Sequence, residues 1–268
     1  MRSFELGAIA LMATPISAHL SIWHPSIFGF LPDEVNTDNM SQPLQEYTFD
    51  QWWWHGVLDQ PPVDGEIFEL PANGKIETVI ASNKGNTPYG NGFVDEDPTK
   101  APEPWLNENG WGNMHAPARG DVAGSALAIA YKSDQYAVEP TDFVVFSVAH
   151  DSPARQLQSW DVPNLPACPD DKCMCSWFWI HKSIGGTDQM YMTPFVCKVT
   201  DATNAGKVAA GQAPVDCRDD QSKCITGAKN PMYWKNLEGN NMPNEPHDAP
   251  IYNDGYGYAE GAQNDIFE

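Results

Sequence analysis

Turn-rich stretches divide this chain into short segments. In some of these segments apolar residues alternate with polar ones, and in others they form a continuous run. Residues 75–82 (KIETVIAS) alternate as a half-buried strand does. Residues 142–150 (DFVVFSVAH) are mostly apolar and bounded by turn residues, which is typical of a buried strand. We predict strands in residues 19–30 (leading into a loop), 75–82, 125–131, 142–150, 177–182 and 189–199.

A helical period is missing from the pattern, and this decides the fold class. No long segment repeats its apolar residues every three to four positions, so we expect little helix. Strands joined by turns and long loops predict an all-β protein. The expected architecture is an antiparallel β-sandwich of the immunoglobulin or fibronectin type, with long loops.

Three irregular segments interrupt the strand pattern. Residues 83–113 form a long Gly-, Pro- and Asn-rich loop, and loops of that length are usually functional or disordered. From about residue 226 the chain turns irregular, and we expect it to pack through Tyr252, Tyr256 and Tyr258 and to end in a mobile tail. Residues 52–54 are three consecutive tryptophans, of which we expect at most two in the core, because neither a helix nor a strand points three neighbours inward.

The first 18 residues have the parts of a secretory signal peptide. Arg2 is followed by an apolar run and then by small residues that end at Ala18. The alternative, a membrane anchor, needs a longer apolar run than this one. We expect a signal peptide over 1–18, cleaved to leave His19 first, and one domain over 19–268.

Cleavage before His19 would create a metal chelate from a single residue. Its α-amine and its imidazole Nδ1 close a six-membered ring on a metal ion, and both groups release protons near neutral pH. Inside a peptide bond the same nitrogen could not bind in this way.

Net charge and cysteine content narrow the partners and the compartment. Fifteen basic and 36 acidic residues give a net charge of −21, which disfavours nucleic acid and anionic membranes but allows a neutral polymer. Six cysteines in an exported chain predict three disulfides, with 15 pairings formally open. We find no second apolar run long enough for a transmembrane helix, and we expect a secreted monomer.

Common hydrolytic motifs are missing from the sequence. It has no H-E-x-x-H zinc pattern and no G-x-S-x-G nucleophile elbow. A glycosidase pair of carboxylates can be neither excluded nor singled out among 36 acidic residues.

A more specific pattern lies in the second half of the chain. His181 is followed by Gln189 and Tyr191, which on a strand project from the same face. With His19 and His115, which ends a Gly- and Asn-rich loop, this pattern resembles the lytic polysaccharide monooxygenases. The N-terminal block HLSIWHPSIFGF, the WWWHG block and the C-x4-C-x-C-S-W run resemble auxiliary-activity family fourteen, fungal enzymes associated with xylan on cellulose.

The resemblance implies one copper ion and a role for each of these residues. His19 and His115 would supply three nitrogens, Tyr191 would be the axial oxygen neighbour, and Gln189 and His181 would lie behind them near the oxygen-binding position. Three nitrogens in a plane with a weak axial oxygen suit copper(II) better than zinc. The resemblance also favours the disulfides Cys168–Cys173, Cys175–Cys197 and Cys217–Cys224. His24, His55, His150 and His247 match no role and are expected to be structural or surface residues.

The implied reaction is oxidative cleavage of a glycosidic bond in xylan-coated cellulose. An outside reductant and hydrogen peroxide or dioxygen would be consumed. One rival is a secreted protein of related fold that only binds copper, in which an Asp tends to replace the tyrosine; Tyr191 and Gln189 favour the enzyme. Another is a metal-free secreted interaction protein whose aromatics bind sugar, which copper-binding measurements would separate from both.

Overall fold

A computed structural model describes residues 19–90, 122–181, 189–243 and 249–268 as a sandwich of two β-sheets. One sheet has three strands in the order β1-β3-β6, and the other has six in the order β2-β8-β7-β4-β5-β9. The strands are β1 Ser21–Trp23, β2 Phe68–Pro71, β3 Lys75–Ala81, β4 Ser125–Ala130, β5 Val144–Ala149, β6 Leu157–Asp161, β7 Cys173–His181, β8 Gln189–Thr200 and β9 Gly261–Ala262.

The predicted all-β sandwich is confirmed. Strand pairs are antiparallel, with a parallel exception between β2 and β8. Within the described ranges the one α-helix, α1, is the single turn Phe49–Trp52, and no helix there is long and apolar enough to cross a bilayer. Strands β3, β4, β5 and β8 match their predictions closely, whereas β7 begins at Cys173, before the predicted residue 177.

The main core lies between the two sheets. Alternate residues of β7 and β8 face the three-stranded sheet, because successive side chains of a strand point to opposite sides. These inward residues include Trp177, Trp179, Tyr191 and Phe195, which join Ile22, Ile76, Ile80 and Trp160 from the other sheet.

The outer face of the six-stranded sheet is buried as well. Phe178, Ile180, Met190 and Met192 point away from the main core and form a second apolar layer. The segment around α1 and the C-terminal part of the chain cover this layer, with Trp52, Trp53, Trp54, Tyr233, Trp234, Tyr252 and Tyr258 among the covering residues. Burial on both faces explains why β5 reads as an almost continuous apolar run.

All three consecutive tryptophans are buried, so the prediction that at most two lie in the core is wrong. Trp52 and Trp54 are fully covered and Trp53 is 8% exposed. The expectation assumed a regular helix or strand. Instead the backbone turns left-handed immediately after α1, with φ of 57° at Trp54, 55° at His55 and 69° at Gly56, and this reversal directs neighbouring side chains inward.

The C-terminal segment is part of the fold up to its end. The predicted packing of Tyr252, Tyr256 and Tyr258 is confirmed, since all three are buried. The predicted mobile tail is wrong, because β9 pairs with β5 and Ile266 is buried in the main core.

Three disulfides form as the resemblance implied. Cys168–Cys173 and Cys175–Cys197 lie in or beside β7 and β8, and Cys217–Cys224 closes a loop in the C-terminal part.

His24 makes the stability of the fold depend on pH. Its ring packs edge-on against Phe68 at 4.8 Å, its Nδ1 accepts from the Ser26 backbone N–H at 3.1 Å, and burial lowers its pKa to about 4 from 6.5. The folded protein therefore takes up this proton less readily than the unfolded chain does. The resulting stabilisation is complete above pH 6.5 and is lost as the pH falls towards 4.

We expect His24→Asn to flatten this pH dependence, because its side-chain oxygen can still accept from Ser26 but does not titrate. The wild type should lose ~2 kcal/mol more unfolding free energy than the variant between neutral pH and pH 4, after allowance for solvent screening. Denaturant unfolding at both pH values measures this difference. Equal losses in the two proteins would contradict the assignment.

Candidate active site

The six-stranded sheet ends at one edge of the sandwich where β7 finishes and β8 starts. There His181 pairs with Gln189, and two positions further in Trp179 pairs with Tyr191. The same end holds the start of β4 and the end of β5, because Ser125 pairs with both Trp179 and Ala149.

His19 lies at this end as well, as the connectivity shows. Residues 150–156 lead from the end of β5 to the start of β6, which pairs with the last part of β3. The same part of β3 pairs with β1, where Ser21 lies opposite Ala81. Because His19 precedes β1, it lies at the end of the sandwich where His181 and Gln189 lie.

A hydrogen bond between the two sheets joins the N-terminal strand to β8. The Ser21 and Thr193 hydroxyl oxygens are 2.7 Å apart and both residues are fully buried. Ser21 is two positions after His19 and Thr193 two positions after Tyr191. The start of the chain is thus tied to the strand that carries two of the candidate residues.

Tyr191 and Gln189 act as one unit. The Tyr191 hydroxyl donates to Gln189 Oε1 at 2.6 Å, and the two side chains are 1% and 7% exposed. The sequence expectation that they share a face of the strand is confirmed by this contact. Burial raises the pKa of the Tyr191 phenol well above its ordinary value, so the phenol stays neutral. Its hydrogen bond directs the Gln189 amide nitrogen, the donor end, away from the ring.

Aromatic neighbours fix the orientation of these side chains. The Trp179 ring stacks on Tyr191 with centroids 4.6 Å apart and 25° between the planes. His181 meets the same indole edge-on at 5.4 Å and is 4% exposed. Packing of this kind limits rotation about the side-chain torsions, so the three polar residues start from defined positions.

At the same end of the sandwich, backbone carbonyls on the outer edge of β8 accept hydrogen bonds from separate residues. The Leu44 N–H donates to the Met190 carbonyl at 2.8 Å, and the Phe28 N–H donates to the Pro194 carbonyl at 2.9 Å. Between them, the Met192 carbonyl lies 2.9 Å from Nδ1 of His55. Pro194 is tolerated within the strand because its nitrogen faces this outer edge, where no ladder partner needs a donor.

One member of the expected constellation, His115, the expected second copper-binding imidazole, lies outside the described residues. Residues 182–188, which follow His181, lie outside them as well. Among the residues that are described, no group of three or more His, Cys, Asp or Glu side chains could hold a metal ion. The structure therefore places His19, His181, Gln189 and Tyr191 at one end of the sandwich, and the roles of these four residues and of His115 stay predictions.

The other histidines in the described ranges have structural contacts. The His150 Nε2 lies 2.9 Å from the Tyr258 carbonyl and its backbone N–H donates to Glu260 at 2.7 Å. His24 packs against Phe68, and His55 contacts β8. His247 lies outside those ranges. The contact of His55 was missed from the sequence, since no local pattern links residue 55 to residue 192.

Tyr191→Phe tests the internal geometry of the unit. Removal of the hydroxyl leaves Gln189 Oε1 without this donor in a buried setting, which should cost ~1–2 kcal/mol of unfolding free energy. The fold should persist, because the ring and its stack on Trp179 remain. Denaturant unfolding measures the loss, and Tyr131→Phe, which deletes a hydrogen bond to the Pro166 carbonyl in a half-buried residue, is the matched control away from the site.

Similarity to known proteins now adds to this geometry. The chain matches the family described as lytic polysaccharide monooxygenase AA14 over residues 1–268. Three relatives carry related names:
"AA14 family lytic polysaccharide monooxygenase A" of Trametes coccinea (strain BRFM310) is 40% identical over 275 residues, 98% of this chain and 64% of the relative. The corresponding B proteins of Pycnoporus cinnabarinus and Talaromyces rugulosus are 37% and 33% identical, again over 98% of this chain, and the match covers 73% and 98% of their lengths.

The extent of these matches settles the family, although the chain spans less than two thirds of the Trametes coccinea relative. The match runs through both sheets and through the segments that carry His19, His181, Gln189 and Tyr191. The chain belongs to the AA14 family of lytic polysaccharide monooxygenases.

Proposed function

We propose that this protein is a secreted, copper-dependent monooxygenase that cleaves glycosidic bonds in xylan-coated cellulose. The observation that carries the proposal is the buried Tyr191–Gln189 pair, at the end of the sandwich where His19 precedes β1. Family membership supports the class of reaction, and His19, Gln189 and Tyr191 at this end would supply part of the donors that it needs.

The donor set fits copper. His19 as the first residue would offer an amine and an imidazole, and His115 would offer a second imidazole. Tyr191 is a neutral phenol whose proton is directed to Gln189, so its oxygen would be a weak ligand at most. Nitrogen donors with a weak oxygen neighbour suit copper(II).

Bound copper would supply the redox chemistry that activates the oxygen co-substrate. With hydrogen peroxide the balance is R–H plus H₂O₂ to R–OH plus H₂O, at a carbon beside a glycosidic oxygen. The hydroxylated carbon then expels that oxygen as an alcohol and the chain breaks. An outside reductant would be the source of electrons for this redox chemistry.

Gln189 and His181 would position the co-substrate and transfer protons. Because Gln189 Oε1 accepts from Tyr191, its amide nitrogen is the end that would donate to the co-substrate. His181, held against Trp179, would hold or move a proton on the same side. Trp179 keeps both β7 and β8 side chains in place through its two ring contacts.

Secretion follows from the same proposal. Residues 1–18 would be a signal peptide, and its removal would expose the His19 amine. Three disulfides are typical of proteins that fold in an oxidising compartment. Residues 19–268 would be a single domain acting as a monomer.

The substrate preference rests on charge and on the family resemblance. A net charge of −21 would repel polyanions but not a neutral fibre of xylan and cellulose. The relatives are named as polysaccharide monooxygenases, without a stated polysaccharide.

Product analysis on solid substrates tests the proposal. Copper-loaded mature protein, ascorbate and a slow supply of peroxide should release oxidised oligosaccharides from xylan-coated cellulose. Mass spectrometry with and without reductant, on xylan-coated cellulose, pure cellulose and chitin, provides the comparison. A fully loaded protein that yields no oxidised sugar from any of them would replace this proposal with a copper-binding protein that lacks the activity.

The assignment of His115 has its own test. His115→Ala should lower copper affinity at least about tenfold, because it removes an imidazole ligand. His24→Asn is the control, since His24 follows the far end of β1 and packs against Phe68. Isothermal titration calorimetry measures both. Wild-type affinity in His115→Ala would mean that another imidazole binds the metal.

A further inference from the structure

The carbonyl of Met192 has a distinctive partner on the outer edge of β8. The neighbouring outward carbonyls, those of Met190 and Pro194, accept from backbone N–H groups of Leu44 and Phe28. The Met192 carbonyl instead lies 2.9 Å from His55 Nδ1, a side chain that is 137 positions away in the sequence. Met192 separates Tyr191 from Thr193, so this contact holds the strand between the Gln189–Tyr191 unit and the bond to Ser21.

The backbone around His55 is strained in a way that directs this side chain. Trp54, His55 and Gly56 are consecutive residues with positive φ, of 57°, 55° and 69°. Left-handed conformation is unfavourable for residues other than glycine, because Cβ comes too close to the following carbonyl oxygen. Such strain persists where the surroundings fix it. Here the burial of Trp54 on one side and the bond from His55 to β8 on the other hold the turn.

His55 also links β8 to the N-terminal segment. The backbone of Asn39 lies beside the imidazole, whose single N–H in the neutral form is used on Met192. The Asn39 side chain in turn donates to the Gly29 carbonyl at 2.8 Å. Three segments that are distant in sequence therefore meet at one ring, and burial of this ring lowers its pKa, which keeps it neutral.

We infer that His55 is a positioning residue for the candidate site. Its Nδ1–H holds the Met192 carbonyl, and through it the strand that sets Tyr191 against Gln189 and Trp179. The inference rests on the proposed function for its effect on turnover. Its structural part concerns the protein without metal and can be measured there.

Two substitutions differ in whether they keep the donor to Met192. The amide nitrogen of Asn occupies the place of Nδ1, so His55→Asn can still donate to Met192, and Asn tolerates positive φ better than most residues. The amide nitrogen of Gln occupies the place of Nε2, so His55→Gln keeps an amide of similar length to the ring but lacks the donor at the Nδ1 position. Both variants keep a neutral polar side chain.

Fluorine NMR of the copper-free protein labelled with 3-fluorotyrosine supplies the direct readout. Nine tyrosines give nine signals, and the one that disappears in Tyr191→Phe belongs to Tyr191. We expect His55→Gln to shift or broaden this signal and His55→Asn to leave it close to the wild type. In the copper-loaded protein, His55→Gln should reduce turnover about tenfold through misplacement of Tyr191 and Gln189, with His55→Asn near wild type.

Two results would overturn the inference. One is an unchanged Tyr191 signal in a folded His55→Gln variant, and the other is an equal change in both variants. If the wild type oxidises no polysaccharide, the proposed function fails, yet the fluorine signals still decide whether His55 positions Tyr191. Circular dichroism of each variant confirms that it has folded before these signals are compared.

Discussion

One extra alanine ahead of His19 should remove tight copper binding from an otherwise intact protein. The added residue converts the His19 amine into a peptide nitrogen and so breaks the six-membered chelate. We expect copper affinity to fall at least about 100-fold, since a ligand at the metal is lost and the remaining imidazoles are no longer joined by a ring. Calorimetric titration of the extended and the mature protein measures the change.

The control for this prediction is the fold itself. The bond between Ser21 and Thr193 and the pairing of β1 with β3 begin two residues after His19, so the extension should leave the melting temperature close to that of the mature metal-free protein. Equal copper affinity in both proteins would show that the N-terminal amine is not a ligand.

Gln189→Glu should keep copper and lose most of the turnover. The carboxylate can still accept from the Tyr191 hydroxyl, so the contact at 2.6 Å can persist. What the substitution removes is the amide donor, and it introduces an acidic group at the position where the co-substrate would be bound. Loss of an oriented donor at a reacting centre typically costs about 100-fold or more in rate.

The matched comparison is Gln158→Glu, a similarly buried amide on β6 of the three-stranded sheet, whose amide nitrogen donates to the Ser159 carbonyl at 2.9 Å. Product formation at saturating copper should fall in Gln189→Glu and remain in Gln158→Glu. Turnover of Gln189→Glu at the wild-type rate would remove Gln189 from the site, whereas a loss of copper in this variant would make it a determinant of metal binding.

The strands that could be predicted are those with a clear local pattern. Residues 75–82 alternate because β3 belongs to a sheet with one exposed face, and residues 142–150 are apolar because β5 is covered on both sides. The strands β2, β6 and β9 were missed. They are short, with four residues in β2, five in β6 and two in β9. Such strands are defined more by their partners across the sheet than by their own sequence.

The aromatic block shows a different limit. Periodicity assumes that a segment is helix or strand throughout, and the left-handed turn at Trp54 and His55 is neither. No residue type in this block signals positive φ except Gly56. The turn is held by contacts with β8, which is remote in sequence, so local reasoning had no access to it.

Part of the candidate site follows from strand geometry alone. The two-residue period places Gln189 beside Tyr191, and the structure shows them bonded. The proximity of His19 to this pair needed the connectivity of both sheets, because it depends on where β1, β3 and β6 begin and end. The position of His115 remains a prediction from the resemblance.

The placement of the disulfides has a consequence for the choice of electron donor. Because the proposed reaction consumes a reductant, the disulfide bonds of the protein are exposed to that reductant as well. Cys173, Cys175 and Cys197 are fully covered, so the two bonds next to β7 and β8 are shielded from thiols in solution. The Cys217–Cys224 bond lies in a short loop outside both sheets, and Cys224 is partly exposed. Glutathione or cysteine used as the electron donor would therefore attack this loop first and leave the strands that carry Gln189 and Tyr191 cross-linked.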